Sequence, residues 1–125
     1  LYPDNNPKSG AARFKPTFHA IPTVGLIEEG AAMLDGKGKY TLMNWRETDV
    51  AASVYYDAIL RHLFAWYDSK EERAPDSQAH HLGHVKACCS ILLDAMANGS
   101  MVDDRPKIAS KFVDLCKEYE AAKAA

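Results

Sequence analysis

Residues 50–67, VAASVYYDAILRHLFAWY, constrain the fold most. They are apolar on nearly every face of a helical wheel, and such a helix normally sits at the centre of a bundle. With Thr48 or Asp49 as N-cap, the run predicts a helix from Asp49 to about Tyr67. Three more segments carry the helical period. Leu26, Ile27, Gly30, Met33 and Leu34 form one stripe, which predicts a helix from Thr23 to Asp35, stopped by GKGK at 36–39. AHHLGHVKACCSILLDAMA predicts a helix from Ala79 to Ala97, closed by Asn98-Gly99. DDRP at 103–106 offers an Asp cap and a first-turn Pro. Ile108, Phe112, Leu115, Cys116 and Tyr119 then predict a fourth helix, Lys107 to about Ala122. Residues 1–22 hold Pro3, Pro7, Pro16 and Pro22 and read as an extended arm. The expected fold class is all-α, a bundle of about four helices in a single domain over residues 1–125.

Composition narrows the function classes. The chain has 15 Lys and Arg against 17 Asp and Glu, so no basic field exists to hold a nucleic-acid polymer. No run approaches the ~18–20 apolar residues that cross a bilayer. The N-terminal stretch lacks the apolar centre of a signal peptide, so no membrane or export role is expected. Cys88, Cys89 and Cys116 include an adjacent pair and no CxxC, a poor framework for disulfides or zinc. They are expected as reduced, mostly buried thiols in a cytosol.

Polar groups on apolar helices need partners, so they are the informative ones. Asp57 and Arg61 share a helix face, acid before base, as a register-setting ion pair or as part of a site. His62 points elsewhere. His81 and His84 share a face at a helix start, where free N–H groups favour anions. Such a pair can hold a metal or phosphate oxygens, or stand exposed. Glu28 and Glu29 suit Mg²⁺ if they face the interior, and are a solvated pair otherwise. Lys37, Lys39 and Arg46 surround Trp45, a pattern that can grip a nucleotide by phosphate contact and stacking. The same residues also suit a surface loop with Trp45 as a core plug. No glycine-rich phosphate loop and no nucleophile elbow is present.

Together, KYTLMNWR (39–46), YYDAILRHLFAW (55–66), DSQAHHLGHVKACCSILLDA (76–95) and DDRP (103–106) resemble the phage dATP/dGTP diphosphohydrolase domain. That family shows KYG-x-x-NWR, then A-x-x-RHL, an acidic loop, HLAH and a leucine-rich helix. The matching positions are Lys39, Tyr40, Asn44, Trp45 and Arg46, then Ala58, Arg61, His62 and Leu63 with Asp57 just before. Asp76, His81, Leu82 and His84 complete them, over roughly residues 6–106. Thr41 and Gly83 stand where the pattern has Gly and Ala. The family is also similar to MazG-type all-α pyrophosphohydrolases, which hold Mg²⁺ with helix carboxylates. Glu28-Glu29 lacks the third Glu of their EExxE motif, and HxxH stands where their ExxD would be sought.

The resemblance implies metal-assisted attack of water on the α-phosphorus of a purine deoxynucleoside triphosphate, giving monophosphate and pyrophosphate. It implies Mg²⁺ or Mn²⁺; the expected ligands are Glu28 or Glu29 with Asp57, or a histidine-containing site suited to another metal, with Asp57, Glu29 and His62 expected as catalytic. Lys39, Asn44, Trp45, Arg46, Arg61, His81 and His84 would bind substrate. It further implies a homo-oligomer in the cytoplasm, the host's for a phage protein, adjusting the nucleotide pool. The alternative is a non-catalytic phage protein that binds a nucleotide or a host protein. Release of intact triphosphate ranks last, because no His-Asp dipeptide occurs.

Overall fold

The computed structural model describes residues 4–124. Five helices dominate: α1 (Pro7–Ala12), α2 (Thr23–Tyr40), α3 (Ala52–Tyr67), α4 (His81–Asn98) and α5 (Phe112–Ala124). A 3₁₀ turn covers Asn44–Arg46, and β1 (Val50–Ala51) pairs in parallel with β2 (Met101–Val102). The all-α expectation holds. No described helix is long and apolar enough to cross a membrane.

The central helix is α4, not α3. It packs against both α2 and α3. Its buried positions include Gly83, Ala87 and Ala95, whose small side chains let neighbouring helices come close. The expected central helix, α3, instead leaves Val54, Tyr56, Phe64 and Tyr67 exposed. The tightest approach is at Gly83, where an added Cβ would lie 2.7 Å from the carbonyl carbon of Glu28 and closer to its oxygen. Gly83→Ala therefore sets a helix-propensity gain of about 1 kcal/mol against overpacking of about 1–3 kcal/mol. The obstacle is backbone, so the clash wins. The variant should show a lower urea midpoint; an unchanged or higher midpoint would mean that α2 and α4 separate freely.

Several boundaries differ from the sequence expectations for local reasons. Helix α2 runs through Gly36 and Gly38 to Tyr40, helped by the i,i+4 pair Asp35–Lys39 and by Lys37 and Lys39 in its last turn. It ends on Thr41 at φ 97°, a strained value for a β-branched residue and a place where glycine would be at ease. Helix α3 starts at Ala52, because Val50 and Ala51 are taken up by the strand pair. Neither Thr48 nor Asp49 caps it: Asp104 accepts from the Ser53 backbone N–H at 2.8 Å and from the Ser53 hydroxyl. DDRP thus closes the start of α3 rather than opening a fourth long helix. Helix α5 begins only at Phe112, whose N–H donates to Ser110 Oγ. His80 caps α4 through Nδ1, which accepts from the Leu82 N–H. The arm contains the short α1, capped by Asn6. The thiols are less buried than expected, since Cys89 and Cys116 are exposed and Cys88 is half-buried.

Candidate active site

Helices α2 and α3 both pack on α4 and flank a cleft of about 440 Å³. Met33, Tyr40, Trp45, Tyr55 and Ile91 make its apolar wall. Asp35, Lys39, Asp76, His62 and His84 make its polar end. On α3 the lining residues Tyr55, Ala58 and His62 fall at i, i+3 and i+7, the stripe that faces α4.

Asp94 of α4 fixes the aromatic wall. Trp45 Nε1 donates to Asp94 Oδ2 at 2.7 Å, and Arg46 adds a two-pronged contact at 2.8 and 2.9 Å. The Arg46 guanidinium and then the indole N–H hold the Asp94 carboxyl down to about 2. Ser100 Oγ donates to the Trp45 carbonyl at 2.7 Å. Trp45 is therefore held through its indole N–H and its backbone carbonyl, and it lines the cleft. Arg46 is spent on this clamp and does not line the cleft, which corrects its expected contact with phosphate.

At the polar end, Lys39 Nζ lies 2.9 Å from Asp35 and 3.0 Å from Asp76. The Asp35 and Asp76 carboxylates raise the Lys39 ammonium above its usual range, and Lys39 in turn lowers Asp76. Behind it lie three histidines. The rings of His62 and His84 stack with centroids 4.5 Å apart. His84 Nε2 meets Ser77 Oγ at 2.7 Å. His62 Nδ1 lies 2.8 Å from His81 Nδ1, and His81 Nε2 lies 2.7 Å from Glu71 Oε1. Burial first, and the neighbouring His84 and His81 second, push His62 down to about 4. Burial also lowers His84. A neutral His62 is a free base at pH 7.

His81 is 4% exposed and has both ring nitrogens engaged, so a direct phosphate contact from it is ruled out. Glu71 was not anticipated. The segment between α3 and α4 turns at Pro75 and runs back on itself, with the Ala74 N–H on the Ala79 carbonyl and the His81 N–H on the Glu72 carbonyl. Glu71 then meets His81, and Glu72 meets His80 at 2.9 Å. Two consecutive acids facing two consecutive histidines across a proline turn is the signal that could have revealed the pairing.

The expected metal carboxylates are not brought together. Glu28 pairs with Arg73 at 3.5 Å, and Glu29 takes Ser90 Oγ at 2.6 Å and Lys86 at 3.8 Å. Asp57 and Arg61 are exposed on α3 and outside the cleft, with no ion pair between them. Among the described residues no group of three or more His, Cys, Asp or Glu is placed to hold a metal. Glu28, Glu29 and Asp57 therefore do not fit an Mg²⁺ cage, because the first two are matched to cations of the loop and α4 and the third faces outward. Of the expected substrate contacts, Lys39, Asn44, Trp45 and His84 do line the cleft, as does His62.

A family model described as dATP/dGTP diphosphohydrolase, N-terminal, matches residues 5–105. No curated protein and no solved structure matches the chain.

Proposed function

The chain belongs to the dATP/dGTP diphosphohydrolase family, matching its N-terminal domain, and we propose that it cleaves purine deoxynucleoside triphosphates to monophosphate and pyrophosphate in the cleft between α2 and α3. One observation carries this reading: a fixed indole and a lysine-histidine cluster face the same 440 Å³ space. A cleft of that size suits a nucleotide. Stacking on an aromatic ring contributes about 1–3 kcal/mol per base. The purine would lie against Trp45, whose N–H is already satisfied by Asp94. The triphosphate would extend toward Lys39 and His84, and His62 would take the proton of the attacking water. On the family resemblance, this activity would adjust the nucleotide pool in the cytoplasm of a phage-infected host.

A divalent ion belongs to the proposal as the substrate's companion. Mg²⁺ is usually held by one or two carboxylates plus substrate phosphates. The cleft carboxylates Asp35 and Asp76 already hold one cation, the Lys39 ammonium, between them. They would hold the ion, which would offset charge on the phosphates. To test the reading, pure protein is incubated with each dNTP, with and without Mg²⁺ or Mn²⁺, and the products are separated. Monophosphate plus pyrophosphate from dATP or dGTP supports it. Nucleoside plus triphosphate, or no turnover under any condition, overturns it, and the latter leaves a binding protein.

We also propose that the working form is a homo-oligomer. The chain exposes 10020 Å², against about 6,600 Å² for a folded monomer of 13.8 kDa. Large apolar side chains are among the exposed groups: α5 buries none of its residues, and Phe112, Leu115 and Tyr119 are open to solvent. A second copy would cover such surfaces. Sedimentation at micromolar concentration should give at least a dimer; a well-folded monomer would contradict this.

A further inference from the structure

We propose that Glu71, His81 and His62 form one proton-carrying unit, with His62 Nε2 as the base that faces the cleft and with Glu71 and His81 as its positioning residues. The proposal rests on the hydrolase reading above for its chemistry, and on two observed contacts for its existence.

The hydrogen-bond inventory fixes the protons. An ionised Glu71 only accepts, so His81 Nε2 carries the hydrogen in the 2.7 Å contact. With no extra proton on the pair, His81 Nδ1 is then bare. The 2.8 Å contact between the two Nδ1 atoms requires one hydrogen, which must sit on His62 Nδ1. This leaves a lone pair on His62 Nε2. No buried side-chain nitrogen or oxygen among the described residues lacks a partner, and no partner is seen for His62 Nε2, so that atom is open to solvent. His62 lines the cleft and His81 does not. The chain of contacts thus leads from the cleft, through a buried imidazole, to a carboxylate that is 43% exposed.

The water oxygen bonds to the α-phosphorus and the bond to the pyrophosphate oxygen breaks, with its electron pair leaving on pyrophosphate. The water proton goes to His62 Nε2. His62 gives its Nδ1 proton to His81 Nδ1, and the positive charge then rests on His81, beside Glu71, instead of in the cleft beside Lys39. Glu71 keeps its negative charge and takes no proton. After product release the proton returns to solvent by the same route. The three histidines are therefore not equivalent: His84, bonded to Ser77, stacks on His62 and is outside the unit.

Two variants and one spectrum test this. Glu71→Gln can still accept from His81 but has no charge; kcat should fall about 10–100-fold with KM nearly unchanged. Glu71→Ala removes the acceptor too; kcat should fall further, and His62 should lose its tautomer. Imidazole nitrogen NMR of the free protein at neutral pH should show hydrogen on Nδ1 of His62 and on Nε2 of His81. It should show a mixture for His62 in Glu71→Ala, and also in Glu71→Gln, whose amide can either accept from or donate to His81. Hydrogen on His62 Nε2 in the parent protein, or full kcat in Glu71→Ala, would overturn the unit. The spectrum separates the two readings: the expected tautomers without any turnover would sink the hydrolase reading and keep the hydrogen-bonded unit, whereas the opposite tautomers with normal turnover would sink the unit alone.

Discussion

His62→Gln should lower kcat for dATP or dGTP hydrolysis about 10²–10⁴-fold, the usual worth of a positioned general base, with little change in KM. His62 lines the cleft with its Nε2 open to solvent and its Nδ1 held by the buried His81. Glutamine keeps much of the volume, so Trp45 and Lys39 should go on holding substrate. The same substitution has a signature in stability. Burial and the two neighbouring imidazoles hold His62 down to about 4 in the fold, against about 6.5 in the unfolded chain. The unfolded state therefore binds the proton first. The stability tied to this site is complete above pH 6.5 and is lost as pH falls toward 4. In His62→Gln that part of the acid sensitivity should vanish. Denaturation midpoints of the two proteins from pH 7 to pH 4 read this directly. Equal slopes would mean that the imidazole is not held neutral.

Lys39→Ala should weaken triphosphate binding about 10–100-fold, within the range for a charged hydrogen-bond donor. The loss has two parts. The ammonium that would meet the phosphates goes, and Asp35 and Asp76, which it now holds at 2.9 and 3.0 Å, are left as bare carboxylates facing an anion. The second part can be isolated. With no divalent ion present, Lys39→Ala combined with Asp76→Asn should recover part of the affinity, a coupling that two independent sites would not show. Calorimetry with a non-hydrolysable α,β-methylene analogue measures it without turnover. A Lys39→Ala protein that binds as tightly as the parent would remove the lysine from the site.

Which site residues can be read from sequence is a matter of helix phase. Arg61 and His62 are neighbours in one motif, yet successive residues lie about 100° apart on a helix. With His62 turned to α4, Arg61 turns outward. Asp57, four residues before it, turns outward as well. The motif showed the pair but not the phase. Lys39, Asn44 and Trp45 were legible because they cluster where α2 ends, and every geometry of that turn keeps them together. Arg46 was misread because its partner Asp94 is 48 residues away on α4. Glu71 was hidden for a related reason: its role depends on how an irregular loop folds back, and loops carry no period.

The fold divides in the same way. Periodicity places α2, α3 and α4 well. It does not tell which helix is central, because an all-apolar face fits a core and an interface between copies equally well. Helix α4 took the centre through small residues. Gly83, Ala87 and Ala95 allow close packing that the bulky α3 cannot offer. The cap of α3 comes from Asp104, 51 residues from Ser53, and so lay outside any local reading.

Hydrolysis in ¹⁸O-labelled water, with the products weighed by mass spectrometry, tests the central claim most directly. Attack on the α-phosphorus predicts one labelled oxygen in dAMP or dGMP and none in pyrophosphate. Label in the pyrophosphate, label in released triphosphate, or no product at all would contradict it.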